Sequence, residues 1–398
     1  MSAPTNVSAD KPVKRPTRLF LCGDVMTGRG IDQILRQPCD PVLHENGARS
    51  ALDYLHLAED ANGPIPRGVG PSYVWGSALE ELDRMRPDLR IINLETSITR
   101  SVNYEPKGIN YRMSPENADC LKAADIDCCV LGNNHVLDWG CAGLLDTLDT
   151  LDHLQIKAAG AGRSLAGAGA PAVLEASGGG RVLVFSFASV SSGVPRDWEV
   201  TAAAPGVNLL SHISKADAVR IAEEIVGKRR VGDLVVVSVH WGPNWGYEIL
   251  EQQRRFAHTL IDKADVSVVH GHSSHHPKAI EVYRNRLILY GCGDFLNDYE
   301  GIGGYEEYRD DLVLMYFADF DPGSREMCGL EMVPLQIRRF QLARPTTDDI
   351  RWMQRTLNQK YADFELSVTL RKDGHFVLSW TRDPPAMSMG SAKDTTDL

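Results

Sequence analysis

Four apolar segments of this chain each end in polar residues of kinds that bind metals or transfer protons. The clearest is Val268–Pro277, where two valines lead towards Gly271 and four histidines lie within seven positions. The same order, apolar first and polar at the carboxyl end, recurs in Leu19–Asp24, Ile91–Glu95 and Val235–His240. Binding sites of open α/β sheets form where strands end. The recurrence predicts four strands whose carboxyl ends meet at one shared site.

Strand-like segments alternate with helical patterns along most of the chain, which is typical of a layered α/β fold with helices on the sheet faces. We expect strands near residues 18–23, 89–94, 128–132, 182–188, 234–240, 266–270 and 287–291. We expect helices over residues 76–85, 115–124, 140–151, 214–226, 252–263 and 347–357. The Asp373-Gly374 turn indicates a hairpin between strands over 364–370 and 375–380.

Two long polar segments, residues 36–74 and 295–311, interrupt this alternation, and we expect both to be loops beside the site. The length of 398 residues and the 43% of hydrophobic residues support a full core. We expect one α/β domain over residues 18–382. The polar segments 1–17 and 383–398 are predicted to be disordered tails.

The bulk composition excludes several classes of protein. A formal charge of −11 disfavours a nucleic-acid partner, because phosphate binding needs a basic face. The apolar runs fall far short of the ~20 residues that span a bilayer, and the amino terminus lacks an apolar signal core. We therefore expect a cytoplasmic protein with no membrane partner. The eight cysteines include no Cys-x-x-Cys pair and are expected to be buried, reduced thiols.

Two acidic residues follow the first two predicted strands. Asp24 comes after the first, and Glu95 closes the second. Each carboxylate is a candidate ligand for a divalent cation. Asp24 is equally explained as a turn residue that caps the next helix, and Glu95 as a surface acid at a strand end.

The segment Leu131–Asp138 carries a sharper pattern. Asn134 offers an amide oxygen to a metal, and the adjacent His135 can act as a general acid or base. Asp138 lies three residues on, where it can orient that imidazole. The alternative is a turn that places asparagine in the left-handed conformation.

Several histidines and two further acids complete the candidate set. His240 ends a strongly apolar strand, and a single histidine there is commonly a satisfied core residue. His272 and His275 are the stronger candidates of the histidine-rich segment for metal binding or catalysis, and His276 is adjacent. Asp294 and Asp298 are candidate carboxylate partners for His275 or His276, although a glycine-rich turn with capping acids explains them equally well.

Together these motifs resemble the CapA-type branch of the calcineurin-like metallophosphoesterases, over about residues 18–300. The matching segments are Gly-Asp-Val-Met-Thr-Gly-Arg at 23–29, Asn-Leu-Glu at 93–95, Asn-Asn-His-Val-Leu-Asp at 133–138, His-Trp-Gly at 240–242 and Gly-His-Ser-Ser-His at 271–275. A further segment at 293–298 is similar to Gly-Asn-Phe-x-x-x-Asp, with Asp294 in place of the asparagine.

The resemblance implies a four-layer α/β/β/α sandwich with a metal site at the sheet edge. By the same resemblance, one ion is surrounded by Glu95, Asn134, His240 and His272, and a second is held by Asp24, Glu95 and His275. Phosphoesterases of this fold carry a histidine where this chain has Met26. Because a thioether is a poor ligand for hard cations, this departure weakens the expectation of a second ion and of two-metal hydrolysis.

Three functions are open at this point. The preferred hypothesis is epimerisation at a peptide Cα by opposed acid and base groups, as in the CapA-like tailoring enzymes of lasso peptides. It pairs His135 with Asp138, and His275 or His276 with Asp294 or Asp298. The alternatives are metal-dependent hydrolysis of a phosphoester or amide, and a role in poly-γ-glutamate capsule synthesis. We expect a divalent ion, with Ca²⁺, Mn²⁺ and Zn²⁺ all compatible, and a peptide or polyamide substrate.

Overall fold

The computed structural model describes residues 15–382 of the chain. The predicted disordered tails at 1–14 and 383–398 therefore lie outside the described residues. The last part of the predicted amino-terminal tail is structured, because the first strand begins at Thr17 and the Arg15 guanidinium donates to the Asp88 carboxylate.

Most strands belong to two large sheets. In chain order the strands are β1 (Thr17–Val25), β2 (Leu89–Leu94), β3 (Ser97–Ile98), β4 (Arg112–Met113), β5 (Cys128–Val130), β6 (Lys157–Ala159), β7 (Ala161–Gly162), β8 (Ala172–Glu175), β9 (Arg181–Ser189), β10 (Gly206–Val207), β11 (Leu209–Leu210), β12 (Leu234–His240), β13 (Val268–His272), β14 (Ile280–Tyr283), β15 (Arg286–Leu289), β16 (Asp294–Leu296), β17 (Leu312–Phe320), β18 (Met327–Ile337), β19 (Leu342–Ala343), β20 (Ser367–Leu370) and β21 (Phe376–Ser379).

The α-helices flank these sheets. They are α1 (Gly30–Ile34), α2 (Ala51–Asn62), α3 (Ser77–Met85), α4 (Asp119–Ala123), α5 (Gly140–His153), α6 (Leu165–Ala168), α7 (Lys215–Lys228), α8 (Glu251–Ala264) and α9 (Thr347–Tyr361). Short 3₁₀ turns lie at Tyr73–Trp75, Pro115–Asn117, Val190–Ser192, Arg196–Trp198 and Ala362–Phe364. The predicted strands and all but one of the predicted helices are present, with ends shifted by a few residues. The helix predicted over 115–124 is instead a 3₁₀ turn followed by the five-residue α4.

The first sheet has the order β20-β21-β18-β17-β1-β2-β5-β6, with β16 beside β1 and β19 beside β18. Strands β1, β2, β5 and β6 run parallel, whereas β17 pairs with β1 in the antiparallel sense. The predicted carboxyl-terminal hairpin forms β20 and β21 and extends this sheet. The candidate residues that follow β1, β2 and β5, namely Asp24, Glu95 and those of Leu131–Asp138, therefore lie at the same sheet edge.

The second sheet has the order β11-β9-β12-β13-β15-β14, with β8 beside β9. Its strands β11, β9, β12, β13 and β15 are parallel, whereas β8 and β14 pair with their neighbours in the antiparallel sense. The carboxyl ends of β12 and β13 lie side by side, with His240 paired in register with His272.

Three cores define four layers. Side chains alternate between the two faces of a strand, so Val236 of β12 packs between the sheets with Leu21 of β1, while Val237 packs outward with Ile221 of α7. On the other side, Phe20 of β1 packs outward against Leu82 of α3. The helix–sheet–sheet–helix arrangement confirms the predicted four-layer α/β/β/α sandwich.

The segment 36–74, predicted to be a loop, contains the 12-residue helix α2. Ser50 caps this helix, because its hydroxyl accepts from the Leu52 amide and the Asp53 carboxylate accepts from the Ser50 amide. The loop prediction was wrong there because the polar composition concealed a capped helix that buries only Ala51, Leu55 and Ala58. Among residues 15–382, no helix combines the length and apolar character needed to cross a membrane.

The two sheets touch where their strands end. The His270 ring of β13 lies 2.8 Å from the Cys22 carbonyl of β1, measured from Nε2 to oxygen. Close packing on the other side of β1 requires Gly23, since a Cβ at that position would lie 1.6 Å from the Gly293 carbonyl oxygen. This contact lets Asp24 of β1 pair in register with Asp294 of β16.

Candidate metal centre

A first cluster of ligand-type side chains joins the two sheets. It consists of Asp24 from β1, His240 from β12 and His272 from β13, with one ligand atom of each lying within 4.8 Å of the others. The His240 and His272 Nδ1 atoms are 2.7 Å apart, and the Asp24 Oδ1 atom lies 3.8 Å from the latter. All three side chains are buried. One carboxylate and two imidazoles at this spacing are a ligand set that divalent transition metals accept.

A second cluster shares Asp24 with the first. Its other members are His275 and Asp294, again with ligand atoms within 4.8 Å of one another. The His275 Nδ1 atom is 2.8 Å from Asp294 Oδ1, while Asp294 Oδ2 accepts from the Asn297 amide at 2.7 Å. The second cluster thus contains a carboxylate, that of Asp294, although Met26 stands where related phosphoesterases have a histidine. Met26 itself is buried, with its sulfur 3.7 Å from the Tyr299 hydroxyl.

Glu95 extends the first cluster towards His135. Its Oε1 atom lies 3.7 Å from His135 Nε2 and 3.8 Å from His240 Nε2. The Asn93 amide nitrogen holds two acids together, donating to Asp24 Oδ1 at 2.7 Å and to Glu95 Oε2 at 3.1 Å. The alternative explanations, a helix cap for Asp24 and a surface acid for Glu95, do not hold, because both side chains are buried and Asp24 caps no helix among residues 15–382.

Asn134 presents an oxygen that lacks a partner. Its Oδ1 atom is buried and accepts no hydrogen bond within the described part of the chain. The neighbouring Asn133 stabilises this turn, because its Oδ1 accepts hydrogen bonds from the backbone amides of His135 and Val136. Buried polar atoms are nearly always satisfied. A cation beside Asn134 Oδ1 would satisfy it, so these residues fit a metal ion.

Burial dominates the protonation of the cluster. It raises the pKa of Asp24 to about 7, with the Asp294 charge adding to the effect, and raises the pKa of Glu95 well above its usual range, with Asp24 adding. Burial also holds the pKa of His240 and of His272 well below the usual value. Neutral imidazoles offer lone pairs, and crowded carboxylates gain from a nearby positive charge. A divalent cation supplies that charge.

His135 and Asp138 form a dyad beside the first cluster. The His135 Nδ1 atom is 2.6 Å from Asp138 Oδ2, which also accepts from the Tyr111 backbone amide at 2.6 Å. Burial lowers the pKa of His135 to about 4, although Asp138 opposes the shift. The other ring nitrogen, Nε2, is directed towards Glu95. This is the geometry of a proton-transferring imidazole whose orientation is fixed by a carboxylate.

The remaining predicted site residues separate into two groups. His275 and Asp294 form the second dyad, and Asp294 within it outweighs burial, so that the pKa of His275 is raised. His276 and Asp298, by contrast, do not pair as proposed. The His276 ring packs against the aromatic rings of Trp245, Tyr247 and Tyr308.

Asp298 binds Arg29 rather than a histidine. Its carboxylate accepts two guanidinium hydrogen bonds, at 2.5 and 3.2 Å, and one from the Gly30 amide at 2.9 Å. The Arg29 guanidinium also pairs with Glu45 and lies 3.8 Å from the centre of the Tyr54 ring. Sequence adjacency could not reveal this, because the partner lies 269 residues away. Asp298 therefore holds Arg29, whose side chain lines the site.

A cavity of about 460 Å³ opens onto these groups. Its lining includes Glu95, Asn134, His135, His240 and His275. Its walls carry aromatic and apolar side chains, namely Tyr54, Trp245, Tyr299, Tyr305, Ile109 and Ile302. The size suits a small ligand or one end of a chain-like substrate. Both dyad histidines, 135 and 275, line this same cavity.

A comparison with known protein families covers the part of the chain that carries the site. The family model described as "Bacterial capsule synthesis protein PGA_cap" matches residues 18–299, which is more than half of the chain. The chain belongs to this family. The candidate ligands and both dyads lie within the matched residues, as the predicted resemblance to CapA-type proteins requires.

Two relatives with assigned names extend the comparison beyond the family model. A protein of Mycobacterium tuberculosis named "probable polyglutamine synthesis accessory protein" is 43% identical over 357 residues, covering 89% of this chain and 94% of the relative. The PGA biosynthesis protein CapA of Bacillus subtilis is 26% identical over 357 residues, covering 89% of this chain and 78% of its own length.

A solved structure is also similar at low level. It is described as a novel phosphatase from Mycoplasma pneumoniae, with a TM-score of 0.46 and 14% identity, covering 81% of this chain and 94% of that chain. The assignment of the fold rests on the sheet order and the three cores and not on this likeness.

Within the PGA_cap region, the sequence patterns did not identify two site residues. Lys107 forms an ion pair with Asp138 at 2.7 Å and also donates to the Asn134 carbonyl. Asn244 contacts the His275 ring, with 3.0 Å between Nδ2 and Nε2. Both come from loops outside any strand-end motif. Only their position beside the cavity reveals them.

Proposed function

We propose that this protein is a metal-dependent hydrolase that acts in polyglutamate synthesis, on an amide bond of the polymer or a phosphoester of a precursor. The observation that carries the proposal is the pair of ligand clusters that share Asp24 and that each place one histidine, His240 or His275, in the lining of one cavity. Hydrolytic sites with two ions use a shared carboxylate and two adjacent ligand sets. Asp294 would supply a ligand to the second ion, which the absence of a histidine at position 26 had put in doubt.

The residues would divide the work between ligation and proton transfer. Asp24, Glu95, Asn134, His240 and His272 would hold one divalent cation, and Asp24, His275 and Asp294 a second. A bound cation supplies Lewis acidity, which polarises a substrate oxygen and lowers the pKa of water. His135 would move the proton between the water and the leaving group, with Asp138 fixing the ring.

The substrate class comes from the relatives and the cavity. The named relatives take part in polyglutamine synthesis and PGA biosynthesis. A polyamide is chain-like, and the cavity is open enough to admit one end of it. The Lys107 ammonium at the cavity wall, with bound cations below it, would attract the carboxylates of such a chain.

Peptide epimerisation is the second candidate, and one observation favours it. The His135–Asp138 and His275–Asp294 dyads both present their imidazoles to the same cavity. Two imidazoles facing one substrate can remove a proton from one side of a Cα and return it on the other. We rank it second because the same dyad at His275 takes part in a candidate ligand cluster.

The test uses the full chain stripped with EDTA and then supplied separately with Mn²⁺, Zn²⁺ or Ca²⁺. Poly-γ-glutamate and an aryl phosphodiester are incubated in D₂O, and amine release, phosphate-ester cleavage and deuterium at Cα are measured together. We expect cleavage that requires an added cation, disappears in His135→Asn, and persists in His153→Asn, a matched change at an exposed histidine.

Two outcomes would decide against metal-dependent hydrolysis at this site. Deuterium at Cα without cleavage would assign the site to epimerisation. Cleavage that is equally fast after removal of every divalent ion, or in His135→Asn, would show that the catalytic group lies elsewhere.

A further inference from the structure

A buried polar pair lies directly beneath the first ligand cluster. On the faces of β12 and β13 that point between the sheets, the strands change from Val236 and Val268 to Ser238 and His270, and then to the ligands. Ser238 and His270 are partners in register and are both completely buried. A serine and a histidine in an otherwise apolar core are costly unless each polar atom has a hydrogen-bond partner. Their presence there therefore points to a function.

The Cys22 carbonyl of the first sheet determines which nitrogen of His270 carries the hydrogen. His270 Nε2 lies 2.8 Å from the Cys22 backbone carbonyl, which can only accept, so this nitrogen carries the hydrogen. The other hydrogen-bond partner of the ring, the Ser238 hydroxyl, is also uncharged. A neutral ring with its hydrogen on Nε2 leaves Nδ1 as an acceptor.

The tautomer of His270 in turn determines which partner receives the hydroxyl hydrogen of Ser238. Its hydroxyl oxygen is 3.1 Å from His270 Nδ1 and 2.8 Å from His272 Nε2. The single hydroxyl hydrogen is donated to His270 Nδ1, so the oxygen must accept from His272. Reversing the order would leave the lone pairs of His270 Nδ1 and the Ser238 oxygen facing each other in a buried site.

We propose that Ser238 and His270 are positioning residues that fix His272 as the tautomer with hydrogen on Nε2, leaving the Nδ1 lone pair free for a cation. The Cys22 carbonyl sets the order, so contact between the two sheets determines the form of a ligand. His272 Nδ1 is the atom that faces His240 and Asp24. The inference rests on the proposed metal site but not on the reaction that the site performs.

Two measurements test the proposal on the full chain. In the metal-free protein, ¹⁵N NMR of labelled histidines identifies the tautomer of His272, whose signals are assigned by their loss in His272→Asn. Calorimetric titration with Mn²⁺ alone then gives the dissociation constant for Ser238→Ala, Ser238→Thr and Ser267→Ala. Ser267 is the matched control, because its buried hydroxyl accepts from the Val235 amide at the amino-terminal end of the same sheet.

We expect hydrogen on Nε2 of His272 in the natural chain and a mixture of tautomers in Ser238→Ala. Removing a group that orients a metal ligand costs about 10- to 100-fold in affinity, so the dissociation constant should rise by that factor in Ser238→Ala. Ser238→Thr keeps the hydroxyl and should restore most of the affinity, and Ser267→Ala should leave it unchanged.

Hydrogen on Nδ1 of His272 in the natural chain, or unchanged Mn²⁺ affinity in a folded Ser238→Ala protein, would overturn the proposal. The tautomer measurement decides the matter even if the natural chain binds no Mn²⁺. Absence of turnover in a protein with the expected tautomer and affinity would count against the proposed function alone.

Discussion

Among single residues, Asp24 is central to the site, because both ligand clusters depend on its buried carboxylate. Its carboxylate belongs to both ligand clusters, is fully buried, and accepts from the Asn93 amide and the Ser273 backbone amide. Neither hydrogen bond neutralises it. A buried carboxylate without a full countercharge is costly, and a cation between the clusters removes that cost.

The shared position of Asp24 leads to a prediction about stoichiometry. Asp24→Asn removes a ligand from both clusters, so it should reduce bound Mn²⁺ towards zero, whereas Asp294→Asn should remove only one ion. Equilibrium dialysis with elemental analysis measures this, and Asp119→Asn, at an exposed helix position, is the control. Full occupancy in Asp24→Asn would remove Asp24 from the ligand set.

His135 should act in turnover and not in ion binding. Acid–base groups contribute about 10²- to 10⁴-fold to rates, so His135→Asn should lower kcat by at least about 100-fold. Its Mn²⁺ affinity should stay within about threefold of the natural value, because the nearest ligand contact of its ring is 3.7 Å away at Glu95. Steady-state kinetics and calorimetry on the same preparation separate the two, and a variant with natural kcat would refute the role.

At the scale of elements, the packing around the carboxyl end of β1 sets the geometry of the site. The strand changes partner there, from β17 over residues 17–21 to β16 at Asp24 and Val25. The Asp24 amide donates to the Gly293 carbonyl at 3.0 Å, a contact that needs the missing side chain of Gly23. The elements of the sheet edge therefore fix the spacing of the ligands.

This packing predicts a large loss of stability in Gly23→Ala. Because the new Cβ would lie 1.6 Å from backbone, β1 and β16 must separate, and we expect a loss of about 3 kcal/mol or more in unfolding free energy. Urea denaturation followed by circular dichroism measures the change. Gly47→Ala, where nothing lies within 4 Å of the added Cβ, is the control. Equal stability of the two variants would contradict the packing described here.

Helix α8 is attached to the edge strand β14 through Glu281, which predicts a pH dependence. The carboxylate accepts from His258 at 2.9 Å and from the Tyr290 hydroxyl at 2.6 Å. Burial alone would raise the pKa of Glu281, but these hydrogen bonds outweigh it and hold the pKa below its usual 4.5. A lowered pKa stabilises the folded state above the unfolded pKa, and this stabilisation is lost as the pH falls through the folded value.

Glu281→Gln should therefore cost about 2 kcal/mol of unfolding free energy at pH 7, the usual value for hydrogen bonds to a charged group. The difference from the natural chain should shrink as the pH falls below about 4.5. Urea denaturation at a series of pH values measures it. A difference that is constant from pH 7 to pH 3 would show that the charge of Glu281 is not what stabilises this contact.

For the whole molecule, the sequence predicted most of the architecture because the strands are apolar and end in polar motifs. The pairing of β1 with β2, and of β12 with β13, then brings Asp24, Glu95, His240 and His272 together, as those motifs implied. Contacts between loops distant in the sequence could not be predicted in this way. The Arg29–Asp298 pair depends on which strand packs beside β1, and no local pattern carries that information. The second cluster contains Asp24 and His275 of the predicted second set, with Asp294 where that set had Glu95.

The binding of a cation by side chains from both sheets, beside the cavity, can be tested directly. The direct measurement is a crystal structure of the full chain soaked in Mn²⁺, with anomalous diffraction recorded at the manganese absorption edge. The account predicts an anomalous peak between Asp24, His240 and His272 that disappears in Asp24→Asn. No peak in contact with these three side chains, at Mn²⁺ concentrations that support activity, would contradict it.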